Sequence, residues 1–197
     1  MKRLQTAGKM SSKDKHGLFD FRGAIPAPPP VLTRADPTAE ALCMLTSMED
    51  VRGAVRRAAA GAQRLMSILT EDLEPDIYDH PVFLETVKKF VLSRSFAKVR
   101  VLLHDASRMI GNSNRFIAMS RRLASCIEIR VVAPAYRGAP QALLLADEKA
   151  IVYRPRSDSW DGVAGFNQPP IVRMHLQEFD QMWLASAPEQ DMRLSAP

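Results

Sequence analysis

Two short apolar runs, Ala142–Ala146 and Ala150–Tyr153, are separated only by Asp147-Glu148-Lys149. Runs this short and this close pair back on each other as a β-hairpin around a polar turn. The hairpin adds an antiparallel pair to whatever sheet the chain forms. Pro140 and Pro155 bracket it. The rest of the chain has to supply the neighbouring strands and the covering helices.

Those elements are legible upstream. Thr46 or Ser47 caps a helix reaching about Ala60, with Glu49 and Asp50 in its first turn and Gly61 ending it. Arg64–Leu69 reads as a strand, closed by the acidic run 71–76. Asp79 is expected to cap a second helix, with Pro81 at its start and Val82, Phe83, Val87, Phe90 and Val91 at helical spacing. Val99–Leu103 is a strand ending at His104-Asp105. Asn112 or Ser113 caps a third helix through Ala124, and Ile127–Val132 is the next strand. After the hairpin, a polar loop over 157–167 leads to a last helix, about Val172–Ser186, with Leu176, Phe179, Met182 and Trp183 on one face. Strands alternating with helices predict an α/β fold with a mixed, mainly parallel sheet flanked by helices.

At 197 residues the chain holds one domain and additional segments. No apolar run approaches the ~20 residues of a membrane span, and no apolar stretch follows the basic start, so neither integral membrane association nor a secretory leader is expected. Cys43 and Cys126 have no metal spacing or disulfide framework, which fits plain thiols in the cytoplasm. Residues 1–37 lack periodicity and contain the run Ala24-Ile25-Pro26-Ala27-Pro28-Pro29-Pro30, so they are expected to be a disordered linker-like tail. The folded domain is expected over 38–190, with a short tail at 191–197.

The net charge is +5. Residues 1–34 hold seven basic and two acidic residues, so the whole excess lies there and the remainder of the chain is balanced. A balanced body is a poor footprint for nucleic acid, which weighs against such a partner except through the tail. His16, His80, His104 and His175 are scattered, so neither a metal nor a cofactor is expected. There is no nucleophile elbow of the Gly-x-Ser-x-Gly type and no phosphate loop.

The order of elements, with a strand reading Val99-Arg100-Val101-Leu102-Leu103 and a Trp-bearing last helix, resembles one half of the phospholipase D fold over about residues 47–186. In that family the hairpin region carries a His, two residues on a Lys, and five further on an Asp. The resemblance implies a nucleophilic His, a phosphate-holding Lys and a supporting Asp. Aligning the Asp with Asp147 puts the Lys at Ala142 and the His at Pro140, and neither side chain can do that chemistry. Gly165-Phe166-Asn167 resembles the family's Gly-Ser-x-Asn, one residue shorter. The blocks Thr70-Glu71-Asp72-Leu73-Glu74-Pro75, Arg121-Arg122-Leu123-Ala124-Ser125 and Phe179-Asp180-Gln181-Met182-Trp183 are similar to a bacterial family of degenerate phospholipase D-like domains. Some of its members are fused behind GNAT-type acetyltransferases.

The resemblance implies a non-catalytic binding or scaffolding domain, homodimeric because the family's site needs two half-sites, or bound to another protein. Leu143, Leu145, Ile151, Tyr153, Trp160 and Phe166 are the expected apolar surroundings of that seam. The alternatives are a phosphodiesterase using His104, and a tail-driven binder of nucleic acid or anionic membrane. Candidate ligand or anion contacts are His104 and Asp105 at a strand end, Arg115, Arg121 and Arg122 on the third helix, Asp147 and Asn167. The competing role for the arginines is a set of salt bridges to the acidic 71–79 segment.

Overall fold

A computed structural model describes residues 41–105, 114–138 and 140–186. The expected tails at 1–37 and 191–197, and the expected caps Asn112 and Ser113, lie outside these described residues. Within them, seven strands form one sheet in the order β1-β7-β6-β5-β2-β3-β4. The strands are β1 (Cys43–Leu45), β2 (Leu65–Thr70), β3 (Lys98–Leu103), β4 (Ile127–Val131), β5 (Ala142–Ala146), β6 (Ala150–Arg154) and β7 (Gly162–Gly165). The helices are α1 (Met48–Gly61), α2 (Pro75–Tyr78), α3 (Pro81–Ser93), α4 (Arg115–Arg122) and α5 (Pro169–Ala185).

The sheet is mixed, as expected, but not mainly parallel. Only β2–β3 and β3–β4 pair in parallel; β2–β5, β5–β6, β6–β7 and β1–β7 are antiparallel. The difference comes from β1 and β7. Both are short, and Gly162-Val163-Ala164-Gly165 carries almost no strand-forming signal of its own. Pairing with β6 makes it a strand. A Cβ at Gly162 would stand 2.4 Å from the Tyr153 carbonyl oxygen, so this close approach admits no side chain.

Local chemistry sets the helix starts. Ser47 caps α1 in a reciprocal box with Asp50. Asp79 does not cap α3 as expected. The His80 ring takes that role, with Nδ1 accepting from the Val82 amide at 3.3 Å, because Pro75 has already turned residues 75–78 into α2 and carried Asp79 past its end. Asn114 caps α4 by accepting from the amides of Phe116 and Ile117 at 2.9 and 3.3 Å.

Alternation along the strands divides the core in two. Met66, Ile68, Val99, Val101, Leu144 and Val152 face α1, α3 and α4. Leu69, Leu102, Leu143, Leu145 and Ile151 face α5, which packs Val172, Phe179, Met182 and Trp183 on them. The Arg130 guanidinium lies 4.3 Å from the Trp183 ring and donates to the carbonyls of Trp183 and Ser186 at 2.9 and 3.1 Å, fastening the end of α5 to β4. No helix among the described residues is long and apolar enough to cross a membrane. Cys43 and Cys126 are free thiols.

Asp147 locks the hairpin to the rest of the sheet. It takes the left-handed conformation, at φ 54°, which Asp tolerates better than most side chains. Its carboxylate accepts from the amides of Gln63, Arg64 and Leu65 at 2.9, 2.8 and 3.0 Å. Its own amide donates to the Leu65 carbonyl at 2.8 Å. Asp147→Ala is expected to lower stability by about 2–3 kcal/mol in urea unfolding, with Asp147→Asn retaining part of that.

Candidate functional site

Strands β2 and β3 run in one direction and end at Thr70 and Leu103. The antiparallel β5 begins at the same end, where Ala142 pairs with Arg154 of β6. This carboxyl end of the parallel strands therefore collects Glu71 and Glu74, His104 and Asp105, Pro140 and Ala142, and the loop from Arg154 to Trp160. Open α/β sheets place their ligands at such an end.

Arg154 is the centre of the cluster. Its side chain is only 2% exposed and that of Glu74 14%. The terminal nitrogen Nη2 donates to both Glu74 oxygens, at 2.5 and 2.6 Å. The other, Nη1, donates to the carbonyls of Ser157 and Ser159 at 3.3 and 3.0 Å, and the guanidinium lies 5.0 Å from the Trp160 ring. The Thr70 hydroxyl donates to Glu74 at 3.3 Å, and the Ser157 hydroxyl to Glu71 at 2.7 Å. A buried carboxylate–guanidinium pair with its remaining groups satisfied is a closed unit. Burial pushes the Glu74 carboxyl up, and the charge and hydrogen bonds of Arg154 pull it back. Burial, and then the charge of Glu74, pushes the Tyr78 phenol up. Between the two glutamates, Leu73 is fully buried at φ 58°, a strained backbone for a bulky residue. That reversal lets Glu71 and Glu74 both turn into the site.

His104 stands beside this pair. Its amide donates to the Thr70 carbonyl at 3.0 Å, and the Asp105 amide to the Glu71 carbonyl at 2.9 Å. Its ring nitrogen Nε2 is buried with no hydrogen-bond partner among the described residues. Burial, first, and then Arg137 lower the His104 pKa, while Glu71 opposes them. The ring therefore resists protonation.

The expected site residues split between the two ends of the sheet. His104 and Asp105 are at the carboxyl end. Asp147 adjoins Leu65, at the other end of the six-residue β2, roughly 20 Å away. Asn167 is there too, since the next residue, Gln168, donates its amide to the Lys149 carbonyl. Arg115 pairs with Asp79 at 3.1 Å, the structural bridge weighed against a binding role. Arg121 and Arg122 are exposed in the last turn of α4. Residues not anticipated are Glu71, Glu74, Arg154 and Ser157. One signal was available: Arg154 is a charge inside an apolar strand, and the turn over 147–149 puts it opposite Ala142.

The expected apolar seam is not an open face. Leu143, Leu145 and Ile151 lie under α5, while Trp160 and Phe166 pack on the opposite core. The Tyr153 ring rests 5.0 Å from His175 of α5. A groove of about 380 Å³, lined by Met44, Tyr153, Pro155 and Val163, remains on the α5 side of the sheet. Among the described residues, no group of three or more His, Cys, Asp or Glu is arranged to hold a metal.

The fold is shared with solved structures. TrmBL2, an archaeal chromatin protein whose structure is reported to show a novel mode of DNA binding, superposes with a TM-score of 0.56 at 12% identity over 81% of this chain; the chain spans 57% of that protein. Nuc from Salmonella typhimurium, a phospholipase D family member, gives 0.55 at 11% identity over 76% of this chain and 97% of its own. NucT from Helicobacter pylori gives 0.54 at 12% identity over 76% and 99%. At these identities the likeness is one of fold, and it is the phospholipase D fold. No curated protein matches the sequence.

Two measurements test the cluster. Glu74→Ala is expected to cost about 3–5 kcal/mol in urea unfolding, because it strands a buried guanidinium. Combining Glu74→Leu with Arg154→Met is expected to cost less than the two single changes together. For His104 the folded pKa lies below the ordinary 6.5. The folded state then binds fewer protons than the unfolded one, so the stability present above that value is lost as pH falls below it. Urea midpoints at about pH 7.5 and about pH 5.5 are expected to differ less in His104→Leu than in the natural chain.

Residues 47–194, well over half of the chain, match the family described as domain of unknown function (DUF7931), and the chain belongs to that family.

Proposed function

We propose that this chain is a non-catalytic phospholipase D-like domain that binds or scaffolds. The observation that carries this is the state of the carboxyl end of the sheet. The positions of the family's His and Lys hold Pro140 and Ala142. A cation stands on the neighbouring strand: Arg154 lies directly opposite Ala142 and shares its face. That guanidinium is spent on Glu74 and two carbonyls, so a phosphate oxygen meets no free positive charge from it.

The alternative enzyme would use His104. Its buried Nε2 speaks against attack on phosphorus from that nitrogen. The chain is expected to release no more product than buffer from bis(p-nitrophenyl) phosphate, from DNA and from phospholipid vesicles. The double variant Pro140→His with Ala142→Lys is expected to stay inactive, because Lys at 142 would face Arg154 across the hairpin. Turnover by the natural chain that disappears in His104→Ala would overturn the proposal in favour of a phosphodiesterase.

A further inference from the structure

At the amino end of the parallel strands the charge is positive. The segments entering β2, β3 and β4 are residues 61–64, 93–98 and 121–126, and none contains an Asp or Glu. They carry Arg64, Arg94, Lys98, Arg121 and Arg122. These residues lie on one continuous edge. The Lys98 amide donates to the Arg64 carbonyl at 3.0 Å, and the Val99 amide to the Cys126 carbonyl at 2.8 Å. The Lys98 ammonium donates to the Ser125 carbonyl at 2.5 Å. Because β2, β3 and β4 are neighbours, the three segments span roughly 10 Å.

One large apolar side chain stands in this row. Phe96 is 57% exposed, and the Arg64 guanidinium lies 5.8 Å from its ring. The adjoining β5–β6 turn carries two carboxylates. Asp147 is held by three backbone amides, and Glu148 lies 3.9 Å from Arg173.

Compensation of helix dipoles accounts for part of the row. Arg121 and Arg122 occupy the last turn of α4, where cations are favoured. It also serves Arg94, the C-cap of α3, whose last turn holds no other basic residue, but it does not account for Arg64 and Lys98, which lead into strands. Nor does it account for an exposed phenylalanine among them.

We propose that this edge is a binding surface for single-stranded nucleic acid. Guanidinium and ammonium groups carried on neighbouring strand entries suit successive phosphates, and the exposed Phe96 offers a face on which a base stacks. The surface lies at the opposite end of the sheet from the Arg154–Glu74 cluster, so it does not depend on whether that cluster is catalytic.

Fluorescence anisotropy of the full chain with fluorescein-labelled oligothymidine, from about 50 to about 200 mM salt, tests it. The combined variant Arg94→Ala, Arg121→Ala, Arg122→Ala is expected to bind at least about tenfold more weakly and to reduce the logarithmic salt slope by about 2. Phe96→Ala is expected to lose about tenfold with the slope unchanged. Both variants change surface side chains, and an unaltered urea midpoint confirms their folding. A third variant, with Lys2, Arg3, Lys9, Lys13 and Lys15 changed to Ala, isolates the tail; the edge effect is expected to persist in it. The proposal is overturned if the combined variant binds like the natural chain, or if all binding disappears with the tail charges. Equal affinity for the duplex or for anionic vesicles, with Phe96→Ala silent, would also overturn it.

Discussion

The seam between β2 and β5 is the constraint on which the rest depends. On one side of it the strands are parallel and joined through helices; on the other they are antiparallel. A slip of one residue along this seam would turn Leu143 and Leu145 away from α5 and send Leu144 and Ala146 toward it. Asp147 prevents the slip by gripping three consecutive amides at the start of β2. The register then carries through the hairpin to its far end and sets Arg154 against Ala142. One carboxylate at one end of the sheet thus determines which side chains meet at the other.

What meets there is a cation that cannot be left alone. Arg154 is almost entirely withdrawn from water, and burying a guanidinium without an answering charge is prohibitive. Glu74 supplies the charge, and the loop from Arg154 to Trp160 supplies the carbonyls. The acidic turn after β2 is therefore not a solvated connection. Part of it is core, held in shape by a leucine in a conformation that leucine seldom adopts.

Much of this fold is legible in the sequence, where the signals are local. The capping box at Ser47 and Asp50, the apolar face of α3 and the hairpin all depend on residues close in the chain. The strands β1 and β7 were not legible, because three residues and a Gly-Val-Ala-Gly segment become strands only by pairing with what lies beside them. The candidate site was half legible. His104 and Asp105 end a strand and belong where they were placed. Asp147 and Asn167 were grouped with them through a motif, and motif spacing does not say which end of a sheet a turn occupies. The charge balance is silent on position for a related reason. A total near zero over the body of the chain conceals acids after the parallel strands and bases before them. Counting charge by loop, rather than by segment, separates the two.

The Arg154–Glu74 pair also bears on what substitution can do to this end of the sheet. A lysine at 142 alone would press like charge against the neighbouring strand. Loss of Arg154 alone would strand a carboxylate, and loss of Glu74 alone a guanidinium. Each single step is costly, while the present arrangement is satisfied by contacts within the chain. Stepwise substitution at this end is therefore penalised at the pair itself, and the change that avoids an unpaired buried charge alters Arg154 and Glu74 together.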